Sequence, residues 1–171
     1  MWRSKSSCVD PVRVLVRHAD AGLRSTWYGA DEWRGLTNVG HEQARALASM
    51  LPEMTVLRIL SSPSLRCRQT VVPLALRWAL DVEPCWQLGP SVEAEDVIGL
   101  IADPETSSSV LCTHRETLEV LFEYLAGSHH VPDMPGGDPM EKAAVWVLRG
   151  AVGGAEPPRL EYLGSGAALV A

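Results

Sequence analysis

This sequence predicts an α/β fold: one mostly parallel central sheet with helices on both faces and a C-terminal edge hairpin. Three observations carry that expectation. Short apolar runs of strand length alternate with helically periodic segments from Val12 to Leu125. The runs Val12-Arg13-Val14-Leu15-Val16 and Val110-Leu111-Cys112-Thr113 read as buried strands that end abruptly in charge. The pattern then changes, because Ala143–Leu148 and Arg159–Leu163 are both β-like and are joined by a Gly/Pro-rich turn region.

Taken in order, residues 1–11 read as a loose leader, and strand one follows. A loop from Asp20 to Leu36 is rich in Gly, Trp and charge. Thr37 or Asn38 can cap the next helix, whose apolar stripe is Ala44, Leu47, Ala48 and Leu51; Pro52 closes it. Strand two spans about Val56 to Leu60. Ser62 suits an N-cap and Pro63 the first helical position of a helix reaching Arg77 or Trp78, which Pro73 should kink or split. A short strand near Val82–Trp86, a helix over Glu93–Ile101, a strand over Ser109–Thr113 and a helix over Glu116–Leu125 complete the alternation. Gly127–Pro139 is dense in Gly, Pro and Asp and reads as loop.

A length of 171 residues suits one domain over 1–171 with a full core. The formal net charge of -6 argues against a nucleic-acid partner, although a local Arg cluster can still hold a small anion. No two of Cys8, Cys67, Cys85 and Cys112 form a C-x-x-C pair, which disfavours zinc ribbons and dithiol redox sites. Free thiols, no secretory h-region and no bilayer-length apolar stretch lead to a cytoplasmic expectation without a membrane partner. His129-His130 beside Asp133 matches no metal-ligand spacing and reads as surface loop.

The chemistry lies at the strand ends. Arg17-His18 follows strand one without a spacer, His114-Arg115 follows the strand at Ser109–Thr113, and Ser61-Ser62-Pro63 turns into the helix carrying Arg66 and Arg68. Carboxyl edges of open α/β sheets are where such folds bind ligands. A neutral imidazole is a good nucleophile near pH 7, and guanidinium forks match phosphate oxygens. Two imidazoles and two guanidinium groups around one anion therefore suggest phosphoryl transfer.

These blocks resemble the histidine phosphatase superfamily, the phosphoglycerate mutase-like proteins. Leu15-Val16-Arg17-His18-Ala19 resembles its Arg-His-Gly signature, and Ser61 through Thr70 its second block, where an Arg lies between Ser-Pro and Gln-Thr. Val110 through His114 resembles its third, and Leu36 through Gly40 the start of its first helix. The resemblance implies His18 as the phosphorylated nucleophile, Arg17 and Arg66 on the phosphoryl oxygens, and His114 donating to those oxygens. It also implies the family's fold, with no metal and no cofactor, since arginines take a metal's place.

Three positions depart from the pattern. Ala19 and Arg115 stand where glycine is common, and Pro90 occupies the place of a glutamate general acid. The Leu88-Gly89-Pro90 pattern and the short chain resemble the SixA-like phosphohistidine phosphatase branch. Without that acid, a labile leaving group is expected, because expelling an alkoxide needs a proton donor. Glu93 is the alternative acid, with Glu95 and Asp96 behind it; each also fits as a helix-start carboxylate. Arg34 and Arg24 are candidate substrate-binding cations on the Asp20–Leu36 loop, where Trp27, Tyr28 and Trp33 either anchor the loop by burial or stack on a base. The expected partner is a phosphorylated small molecule or phosphoprotein, with protein phosphohistidine ahead of metabolites and nucleotides. A phosphoglycerate-type mutase and a non-catalytic phosphate-binding module are the rival readings; oligomeric state is not readable.

Overall fold

The computed structural model describes residues 11–51, 55–127 and 138–170. The leader at 1–10, Pro52, Cys8 and the His129-His130 segment lie outside the described residues. Six strands form one sheet: β1 (Val12–Arg17), β2 (Arg58–Ser61), β3 (Val82–Pro84), β4 (Ser109–Thr113), β5 (Ala144–Arg149) and β6 (Arg159–Ser165). Their spatial order is β3-β2-β4-β1-β5-β6, with β5 alone running opposite to the other five. Helices α1 (Asn38–Met50), α2 (Leu65–Trp78), α3 (Ala94–Ala102) and α4 (Arg115–Gly127) complete the predicted mixed, mostly parallel α/β architecture.

Strand alternation divides the core. Val14 and Val16 of β1, Ile59, Val110 and Cys112 face one layer with Leu47, Leu51, Val71 and Leu74 of α1 and α2. Leu15, Leu60, Leu111 and Trp146 face the other, with Val97, Ile101, Leu118 and Leu121 of α3 and α4. Successive strand residues point to opposite faces, so strands covered on both sides become continuously apolar. Arg13 and Arg17, near the two ends of β1, are the exceptions, and Arg13 is held by neutral partners. It is buried at the amino end, where its Nε donates to Thr106 Oγ1 at 2.8 Å and its Nη2 to the Asp103 carbonyl at 2.8 Å.

Several expected boundaries move. Helix α2 begins at Leu65, with Ser64 at its N-cap position, rather than at Ser62-Pro63, and it passes through Pro73 without splitting. Strand β3 stops at Pro84 and a 3-10 turn (Trp86–Leu88) follows, with the Cys85 N–H donating to the Ser61 carbonyl at 2.7 Å. The terminal pair is only half an edge: β6 is outermost, whereas β5 lies between β1 and β6. Among the described residues no helix is long and apolar enough to cross a membrane.

Candidate active site

Strands β1 and β4 run side by side with Arg17 paired to Thr113, and the His18 N–H donates to the Thr113 carbonyl at 3.0 Å. Each strand therefore delivers its histidine to the same level of the carboxyl edge. The imidazoles of His18 and His114 meet edge to face with centroids 5.3 Å apart, close to the spacing of neighbouring strands.

His18 is buried, and its Nδ1 lies 2.8 Å from the Ala19 carbonyl. A carbonyl only accepts, so Nδ1 carries the proton and Nε2 keeps its lone pair. Burial lowers the His18 pKa well below the usual 6.5, and Lys142, His114 and Arg66 push it the same way. The ring is thus neutral at pH 7, the state a nitrogen nucleophile needs. Ala19, the first departure, is fully buried and has no positive φ, so the missing glycine costs nothing here. Its N–H donates to Thr70 Oγ1, whose own hydroxyl donates to the Arg66 carbonyl, tying the turn after His18 to α2.

His114 is held from below. Its Nε2 lies 2.9 Å from Ser62 Oγ and 3.5 Å from Cys67 Sγ, while Nη2 of Arg66 approaches Nδ1 at 3.4 Å. Arginine only donates, which leaves the proton on Nε2 and directs it to Ser62. Ser62 was missed as a site residue because its place before a proline and an apolar helix reads as a cap. The start of α2 at Leu65 instead frees its hydroxyl for the imidazole.

Arg66 is buried in the first turn of α2, and Arg17 is buried at the end of β1. One Arg17 Nη1 hydrogen bond goes to the Met140 carbonyl. The Nε groups of both arginines are buried without a partner among the described residues. Such donors are costly unless an acceptor meets them.

Asp31 is the second residue missed. It lies in a 3-10 turn (Asp31–Trp33) of the loop after β1 and gathers three arginines: Arg24 at 3.2 Å, Arg34 at 2.8 Å and Arg66 at 2.9 Å. Burial raises its pKa, but hydrogen bonding from Arg34 and the charge of Arg66 outweigh this and hold the carboxyl below its ordinary range. A lone Asp in a polar loop carries no sequence signal of its own.

The loop cations differ from their expected setting. Arg34 is buried and spends its fork on Asp31 and on the Ala21 and Gly22 carbonyls. Arg24 is more than half exposed and donates to the Trp27 carbonyl. Of the neighbouring aromatics, Tyr28 is fully exposed and Trp33 is 60% exposed, whereas Trp27 is 37% exposed and its Nε1–H donates to the Ala30 carbonyl within the loop. Arg115 points to Glu119 and Asp138 on the surface. Glu93 is an exposed residue at the N-cap position of α3 without a capping side-chain bond. Among the described residues, no carboxylate oxygen lies within hydrogen-bond distance of either imidazole. The loop bearing Pro90 is nevertheless pinned beside them, because Thr113 and Thr117 donate to the carbonyls of Leu88 and Gly89.

The family model for the histidine phosphatase superfamily (branch 1) matches residues 14–88, the span holding Arg17, His18 and Arg66. Over that span, less than half of the chain, the sequence is similar to the histidine phosphatase superfamily. A SixA-type protein of Agrobacterium tumefaciens superposes with a TM-score of 0.66 at 26% identity, covering 88% of this chain and 94% of that one. The protein histidine phosphatase SixA complexed with tungstate gives a TM-score of 0.68 at 24% identity, over 92% and 99% of the two chains. That likeness shows a shared fold. An 8-oxo-(d)GTP phosphatase of Mycolicibacterium smegmatis (strain ATCC 700084 / mc(2)155) is 29% identical over 149 residues, 82% of this chain. The chain spans only 45% of that relative's length.

Proposed function

We propose that this chain is a phosphatase working through a covalent phosphohistidine on His18. The observation that carries the reading is the His18 ring itself: its proton is committed to the Ala19 carbonyl and its depressed pKa leaves Nε2 unprotonated. Nε2 attacks phosphorus, forming a P–N bond as the bond to the leaving atom breaks. Water then attacks the phosphohistidine, releasing phosphate and restoring the imidazole. Arg17 and Arg66 neutralise the charge spread over the phosphoryl oxygens, and their unpartnered Nε–H groups suit that task. His114, edge-on to His18 and propped by Ser62, is the second imidazole placed to stabilise the same oxygens.

With no carboxylic acid at the imidazoles among the described residues, the leaving atom must be good or take its proton elsewhere. This favours a phosphoramidate, whose nitrogen is protonated before cleavage, and supports protein phosphohistidine as substrate. A loop exposed throughout 22–30 leaves room for a protein segment beside the nucleophile. The same loop supports a second reading: exposed Trp27, Tyr28 and Trp33 offer faces for a nucleobase, in keeping with the nucleotide phosphatase relative.

The deciding experiment compares phosphohistidine protein with nucleoside di- and triphosphates, using His18→Ala as blank. Faster release of phosphate from the phosphoprotein supports the first reading. Nucleotide turnover with an inert phosphoprotein selects the second. Phosphate binding without turnover of any ester or phosphoramidate would leave a non-catalytic binding module.

A further inference from the structure

The sheet sets its cleft residues in a row. Arg66 enters on α2 just after β2, His114 follows β4, and Arg17 and His18 end β1. The next strand in the row is β5, which runs antiparallel to β1 with Val145 opposite Val16. Its amino end therefore reaches the carboxyl edge, and the residue two positions before it is Lys142. This lysine stands on the far side of the two histidines from Arg66.

The backbone around Lys142 is fixed by the site. The Met140 carbonyl accepts from Arg17, and the Ala143 N–H donates to the His18 carbonyl at 3.3 Å. A tight turn closes through the Ala144 N–H to the Glu141 carbonyl at 3.1 Å, with Ala143 in the left-handed region at φ 56°. A non-glycine residue held there marks a turn that the surroundings over-determine.

The side chain of Lys142 is half-buried, and no carboxylate pairs with it among the described residues. Its charged neighbours are mainly cations: Arg17, Arg34 and Arg66, against Asp20. The Asp20 carboxylate is already engaged by the Thr37 hydroxyl at 2.6 Å. Burial and these guanidinium groups lower the Lys142 pKa, and its charge is the strongest of those that depress the His18 pKa. A half-buried ammonium facing guanidinium groups is unfavourable until a multiply charged anion joins it.

We infer that Lys142 is a substrate-binding residue, whose ammonium takes an oxygen of the dianionic phosphoryl group on the side of His18 opposite Arg66. This rests on the cleft being the phosphoryl site. It adds a cation, from a segment the family model does not reach, to the arginines already placed there.

The test uses the full chain with Lys142→Met, which keeps the apolar stem, and Lys142→Arg, which keeps the charge. Binding of inorganic phosphate is measured by calorimetry, and KM and kcat are measured with p-nitrophenyl phosphate. The expected result for Lys142→Met is phosphate binding weakened roughly tenfold or more, a similar rise in KM and a smaller change in kcat. Lys142→Arg recovers most of the affinity. In phosphate-free buffer the melting temperature of Lys142→Met equals or exceeds that of the wild type, because an uncompensated cation has gone. The inference is overturned if Lys142→Met binds phosphate within threefold of the wild type. It is equally overturned if both variants lose binding with a lowered melting temperature, since the lysine is then structural. Wild-type protein that binds phosphate but turns nothing over would sink the phosphatase reading alone, and the phosphate affinities would still decide the role of Lys142.

Discussion

At the scale of single residues, two imidazoles with opposite tautomers share one cleft. His18 holds its proton on Nδ1 for Ala19, and His114 holds its own on Nε2 for Ser62. The difference comes from what each ring nitrogen meets, since a carbonyl accepts only and a guanidinium donates only. Replacing His18 by Ala should abolish turnover of p-nitrophenyl phosphate while circular dichroism stays unchanged. Removing the prop under His114 is milder: Ser62→Ala should lower kcat/KM by roughly tenfold, the value of one hydrogen bond that orients a catalytic group. An unchanged kcat/KM would show that the serine only fills space. The acidic limb of the kcat/KM profile for the wild type should lie below pH 6.5, because protonating Nε2 removes the lone pair and the folded His18 resists that proton.

At the scale of elements, the site is built where α1, α2 and the loop after β1 converge. Thr37 caps α1 by accepting from the Gly40 N–H at 3.0 Å, and its hydroxyl donates to Asp20. Gly40 is required by space: a Cβ there would sit 2.0 Å from the Asp20 carbonyl oxygen. Gly40→Ala must push the first turn of α1 off the turn that follows His18. A loss of at least about 2 kcal/mol in denaturant titration is expected, with activity falling alongside. The loop is secured differently, by charge. Asp31→Ala would strand the buried guanidinium groups of Arg34 and Arg66, and since Asp31 is partly exposed the expected loss is about 1–2 kcal/mol. A kcat unchanged in that variant would mean that Arg66 keeps its place without the carboxylate.

At the scale of the molecule, an acidic chain carries a cationic cleft, and burial sets the pH range in which the fold is strongest. Unfolded His18 takes a proton near pH 6.5, whereas the folded state resists it. The unfolded state therefore binds more protons below pH 6.5, so this residue contributes stability above that value and withdraws it as the pH falls. Its share of the loss is at most about 1.4 kcal/mol per pH unit. Unfolding free energies measured from pH 7 to pH 5 should fall less steeply for His18→Asn than for the wild type; parallel curves would contradict the burial account.

Much of this architecture was legible from local pattern. The run from Val12 to Val16 ending in Arg17-His18, the strand Ser109–Thr113 and the Thr37 cap are local features, and local chemistry decides strand alternation and helix starts. A strand followed at once by a histidine also announces an edge residue, which is why His18 and His114 could be named without coordinates. Ser62, Asp31 and Lys142 could not. Each is an ordinary polar residue in its own segment, and each acquires meaning from a partner far along the chain: His114 for Ser62, Arg66 for Asp31, and His18 for Lys142. The aromatic loop shows the same limit, since Tyr28 and Trp33 stand in water while Asp31 and its arginines tie the loop to α2. Period and propensity act over a few residues, and so the sequence alone determined the strands, the helices and the histidines at their ends. Which strands became neighbours, and therefore which charges face one another across the cleft, is a long-range outcome of packing that only the tertiary structure decided.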